Sequence, residues 1–122
     1  MGITTRLIFA LAILVSLFYS TSSITGYVVP YTRYLRNSPL ATKCYGRTDQ
    51  GNMVALLNES FFYDDRCGLN ARVDAGGRVR VKIVDVCPPT LCDENTNLAL
   101  SMEAFSQIAD PAAGKIFVDY AT

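Results

Sequence analysis

The stretch VRVKIVDVCPPTLC, Val79 to Cys92, runs an alternating strand into a proline-broken loop closed by two cysteines. Val79, Val81 and Ile83 fall on one face and Arg80 and Lys82 on the other, because successive strand side chains point to opposite sides. This is a strand on the wall of a sheet or barrel. Asp85 continues the apolar register, which puts a carboxylate on the core face at the strand end. A charge there is costly to desolvate unless backbone N–H groups or a cation meet it. Asp85 is therefore either a brace for the following loop or a ligand contact.

The first 23 residues behave unlike the rest. Arg6 is their single charge, Leu7 to Phe18 is a nearly unbroken apolar run, and Tyr19 to Ser23 is small and polar. This is the pattern of a secretory signal peptide, cleaved near Ser23. The apolar run is short for the roughly 20 residues that a spanning helix needs. A secreted domain from residue 24 to residue 122 is expected, with no membrane span. Without Arg6, acids outnumber bases by one. That balance gives no electrostatic footprint for nucleic acid or an anionic membrane.

Cys44, Cys67, Cys87 and Cys92 all lie in the secreted part, where disulfides form and persist. Two bridges are expected, and spacing alone leaves three connectivities open. The pattern lacks paired C-x-x-C ligands and the chain has no histidine, so neither a metal nor another cofactor is expected.

GYVVPYTRYL, residues 26–35, reads as an edge strand because Pro30 cannot donate to a ladder. ATKCYG, residues 41–46, reads as a second short strand. NMVALLN, residues 52–58, is compatible with strand or helix. Asp74 to Gly77 forms a tight turn feeding the strand from Arg78 to Val86. Ser101 reads as a helix N-cap, with Leu100 and Phe105 spaced as a hydrophobic staple. Met102, Phe105 and Ile108 form the stripe of that helix, which Asp110-Pro111 and Gly114 end. KIFVDY, residues 115–120, is a last strand. Short strands with one helix describe a mainly β fold, a small barrel with a helical insert.

The absence of histidine removes the Ser-His-Asp and Cys-His arrangements. Chemistry would have to run on carboxylates, as glycoside hydrolysis does with two. Asp85 is one candidate, but no acid occurs between Ile24 and Thr48, and Asp93 and Glu94 belong to the loop region after the strand. Tryptophan, the usual platform for sugars, is missing. Tyr45 is the best-placed candidate for a groove, and otherwise packs against the disulfide as an amphipathic core residue. Asn58-Glu-Ser60 matches the glycosylation sequon, which requires surface exposure.

Cys44-Tyr45-Gly46, Cys67-Gly68, Val81 to Pro88, Leu100 to Ala109, Ala113 to Ile116 and Asp119-Tyr120 together resemble the plant EG45-like domain proteins. These are the plant natriuretic peptide and blight-associated type, related to the first domain of expansins and to barwin-like proteins. The resemblance implies a six-stranded double-psi β-barrel with one short helix. It also implies a secreted apoplastic protein without enzyme activity, with a systemic role in water and solute homeostasis; a monomer is expected. Its partner would be a cell-surface receptor or, in an expansin-like alternative, a cell-wall polysaccharide.

Expansins and family 45 endoglucanases carry an aspartate just before the Leu-Ser that opens the helix, where this chain has Ala99. The early-strand acid of the hydrolases has no counterpart either. The family commonly has six cysteines, two of them in a longer segment ahead of Val81. Their joint loss implies that Cys44 pairs with Cys67 and Cys87 with Cys92. On this reading Asp85 braces the Cys87 to Cys92 loop.

Overall fold

The computed structural model describes residues 23–35 and 38–122. Apart from Ser23, the expected signal peptide lies outside them. Among the described residues no helix is long and apolar enough to cross a membrane. The strands are β1 (Ile24–Tyr31), β2 (Tyr34–Leu35), β3 (Ser38–Pro39), β4 (Val54–Asn58), β5 (Asn70–Asp74), β6 (Arg78–Cys87), β7 (Thr96–Ser101) and β8 (Ile116–Ala121). A one-turn helix, α1 (Met102–Phe105), follows β7 directly.

Six strands close into a barrel in the order β1-β7-β4-β6-β5-β8, with β2 and β3 paired separately. β1 with β7 and β4 with β6 are parallel pairs, each interrupted by a bulge, and the other barrel pairings are antiparallel. This is the expected double-psi β-barrel. Its interior is filled by alternate strand residues, among them Val28, Leu57, Val73, Val81, Ile83, Leu98 and Leu100, with Phe105 of α1 packed into the same core.

The turn at Asp74 to Gly77 is as expected: Ala75 N–H donates to the Gly77 carbonyl, and Gly76 supplies a φ of +81° that other residues rarely adopt. Residues 54–58 resolve to strand, and the final strand keeps its alternation, with Val118 and Tyr120 inside and Phe117 outside.

Four expectations are corrected. β1 is not an edge strand, since it lies between β7 and β8. β8 reaches it only as far as Val28, opposite Ile116, so Pro30 sits where β1 has one neighbour and its missing N–H is tolerated. Residues 41–46 are not a strand but a tight loop, in which Thr42 and Gly46 exchange two backbone hydrogen bonds of 2.8 Å. The helix is a single turn that ends at Phe105, well before Asp110. Within it Ser101 Oγ accepts from Ala104 N–H as an N-cap should, and Leu100 and Phe105 are both fully buried, but Met102 of the expected stripe is 37% exposed.

Candidate functional site

The outer face of the barrel carries a second apolar cluster, Val54, Leu56, Val84, Cys87, Cys92 and Ala99, with Val29, Tyr31 and Tyr45 packed against it. Part of this cluster is the floor of a groove of about 320 Å³. β4 contributes Val54 and Leu56, and β6 contributes Val84, Asp85 and Val86. The end of β1 supplies Tyr31 and Arg33, the loop from Leu40 to Gly51 forms one wall, and Pro88 and Leu91 form another.

Asp85 reaches this groove because of a bulge. Ala55 stands opposite Ile83 and Leu56 opposite Asp85, so Val84 is the extra residue. A bulge shifts the phase of every later side chain, and Asp85 leaves the barrel interior for the side of Leu56. The expectation that it lies on the core face is thereby corrected. Its Oδ1 accepts from the backbone N–H of Val86 at 2.8 Å. The carbonyl of Val84, freed by the bulge, accepts from Cys44 N–H at 3.1 Å and anchors the wall loop.

Arg33 organises the mouth of the groove. Its Nε donates to Glu103 Oε1 at 3.2 Å, and its terminal nitrogens reach Asp49 Oδ1 at 3.4 Å and the Asn52 side-chain oxygen. Ser101 Oγ, besides capping α1, donates to the Asn52 carbonyl. The wall loop, the end of β1 and α1 are thus tied at one point. Burial, reinforced by the Asp85 charge and opposed by Arg33, pushes the Tyr31 hydroxyl up to about 12. Tyr31 brings a neutral donor to the groove and Asp85 an acceptor.

The disulfides are Cys44–Cys67 and Cys87–Cys92, the pairing implied by the resemblance. The second closes the loop whose Pro88 and Leu91 wall the groove. Tyr45 does not line the groove. It is half-buried against the outer cluster, with Lys82 Nζ 5.1 Å above its ring and its hydroxyl close over Gly68. Asn58 is 4% exposed rather than on the surface. Its Nδ2 donates to the carbonyls of Thr96 (2.8 Å) and Asp93 (3.0 Å), and its Oδ1 accepts from Ser60 N–H (2.9 Å). The nitrogen that would carry a glycan is a structural donor between β4 and β7.

Asp93 holds the turn into β7. Hydrogen bonds from Lys115, Thr96 and the Asn95 N–H lower its carboxyl to about 2. Ala99, which the sequence resemblance aligns with the hydrolases' acid, has no exposed surface and packs in the outer cluster between the Val29 and Leu56 strand positions. Among the described residues no group of three or more potential metal ligands is assembled.

Comparison with known proteins places the fold that carries this groove. A family model described as "Lytic transglycolase" matches residues 58–120. An Arabidopsis thaliana EG45-like domain containing protein 1 is 35% identical over 93% of this chain and 95% of its own. The chain belongs to the EG45-like domain family. An EG45-like domain containing protein of Citrus jambhiri is 31% identical over 98% of both chains. Among solved structures, apo expansin of Clavibacter michiganensis is 26% identical with a TM-score of 0.69, over 83% of this EG45-like chain. A point mutant of that expansin in complex with cellohexaose matches with a TM-score of 0.70. The EG45-like chain spans half the length of either expansin chain. The Streptomyces papain inhibitor shares the fold, with a TM-score of 0.66.

Proposed function

We propose that this EG45-like protein is extracellular and non-hydrolytic, and that the groove holds a polysaccharide chain without cutting it. The observation that carries the reading is the carboxylate inventory of the groove. The lining carries two acids, Asp85 and Asp49, and Asp49 is committed to Arg33 at 3.4 Å, which leaves Asp85 as the lining carboxylate without an ion pair among the described residues. Hydrolysis of a glycosidic bond needs two carboxylates placed on either side of it. The position that, by the sequence resemblance, would supply the acid is Ala99, closed off beneath the groove floor. An apolar floor flanked by Tyr31 and Asp85 suits the apolar face and hydroxyl edge of a sugar ring. The cellohexaose complex of the expansin supports the same substrate class.

The test is co-sedimentation of the oxidised protein, residues 24–122, with insoluble cellulose, followed by assay of the supernatant for reducing ends. Retention without release supports the reading, and release of reducing ends contradicts it.

A second reading is favoured by the extent of the match, which runs nearly end to end with EG45-like relatives and over half of the expansins. On it the protein is a natriuretic-peptide-type signal in water and solute homeostasis, acting at a cell-surface receptor. Swelling of wall-less protoplasts by the oxidised but not the reduced protein would favour this second reading.

A further inference from the structure

The hairpin of β5 and β6 presents a basic outer face. Ala71, Val73, Val79, Val81 and Ile83 point into the barrel, so Arg72, Arg78, Arg80 and Lys82 stand outside. Register places Arg72 directly opposite Arg80. Like charges directly opposed on adjacent strands repel. The carboxylate on that face, Asp74, is drawn to one end, where it meets Arg78 at 2.7 Å and Arg72 at 3.5 Å. Arg80 is exposed, and the ion pairs of this face, among the described residues, join Asp74 to Arg78 and Arg72 and leave Arg80 out. With the protein near neutral as a whole, this is a local concentration of positive charge.

The basic residues do not form an isolated patch. Arg78, Arg80 and Lys82 follow one another along the outside of β6, and the next residues of the same strand, Val84 to Val86, line the groove. Lys82 marks the junction, since its Nζ donates to Gln50 Oε1 at 2.8 Å and Gln50 is on the groove lining. A strand advances about 6.6 Å for every two residues, so the row is an extended track. At the far side Asp119, opposite Asp74 on β8, ends the positive field.

We infer that the Arg78–Arg80–Lys82 row, with Arg72 beside it, extends the groove and selects a polysaccharide bearing carboxylates, a uronate chain, over a neutral glucan. The inference rests on the proposal that the groove binds a glycan. A linear polyanion relieves the Arg72–Arg80 repulsion, and guanidinium groups pair well with carboxylates. Continuity with the groove distinguishes a glycan chain from a lipid surface.

The experiment is calorimetric titration of the oxidised protein with galacturonate and cellulose oligomers of equal length, at low and at about 0.3 M salt, where screening shortens the reach of surface charge. R80Q and R72Q/R80Q are titrated alongside, their folding checked by melting. At low salt the galacturonate oligomer should bind about tenfold more tightly than the neutral one, the scale of two exposed charge-assisted contacts. High salt and R72Q/R80Q should each abolish that preference while leaving neutral binding unchanged. Equal affinities, or a preference that survives both, overturn the inference and leave the groove reading standing. Binding of neither oligomer overturns both. Binding to phosphatidylserine vesicles without binding to the galacturonate oligomer overturns it in favour of a membrane.

Discussion

Leu56 of β4 stands opposite Asp85 of β6, not opposite Val84. That one-residue slip moves a carboxylate from the barrel interior to the groove, and frees the Val84 carbonyl to hold the Cys44 loop. The same bulge therefore builds two parts of the site.

Asp85→Asn should separate binding from stability. The asparagine retains an oxygen for the Val86 N–H, and the site is half-buried and outside the interior, so stability should change by no more than about 0.5 kcal/mol. Glycan affinity should fall about tenfold, the worth of one hydrogen bond to a charged group. Urea melts and titration calorimetry on the same sample check both, and destabilisation with unchanged affinity would return Asp85 to a bracing role.

Asn58→Ala should be far more damaging, although the residue sits in a surface-type sequon. It removes two bonds from Nδ2 and one to Oδ1, leaving the Thr96 and Asp93 carbonyls and the Ser60 N–H to find new partners. A loss of about 2 to 4 kcal/mol is expected for an unsatisfied buried network. Mass spectrometry of the wild type expressed through a secretory pathway should show Asn58 unmodified.

The two disulfides should differ in worth. Chain-entropy arguments give about 3.5 kcal/mol for the longer Cys44–Cys67 loop and about 2 kcal/mol for the short Cys87–Cys92 loop. Paired replacement by alanine, followed by urea denaturation, compares them. Loss of Cys87–Cys92 should also weaken glycan binding, because Pro88 and Leu91 wall the groove.

Titration should mark both ends of the pH range. Asp93 is lowered from 3.8 to about 2, so its contribution is complete above pH 4 and is lost as pH falls toward 2. Tyr31 is raised from 10 to about 12, so the folded state holds its proton longer and stability declines as pH rises from 10 to 12. Asp93→Asn should flatten the acid limb and Tyr31→Phe the alkaline limb of a melting-temperature profile.

Much of the barrel was legible because its strands alternate. The hairpin around Gly76, the final strand and the inward set Val79, Val81 and Ile83 follow from period-two patterning. Alternation cannot announce a bulge, so the same pattern misplaced Asp85. β7 escaped notice because Leu98, Ala99 and Leu100 are buried on both faces, and such a run has no polar side to give it a period. Tyr31, Arg33 and Gln50 had no sequence signal, since they meet only when the loop from Leu40 to Gly51 folds back over β4 and β6. Tyr45 reads either as a groove residue or as packing beside the disulfide, its neighbourhood to Cys44 does not distinguish the two, and the structure gives packing.

The most direct measurement is a cellohexaose titration of the oxidised protein followed by amide chemical shifts, with the sugar recovered and sized afterwards. The predicted result is a set of shifts concentrated at Val84, Asp85, Val86 and Tyr31, with the hexaose recovered intact. Shifts confined to surfaces away from β6 and the Cys87 to Cys92 loop, or recovery of shortened sugars, would contradict a groove that holds a glycan without cutting it.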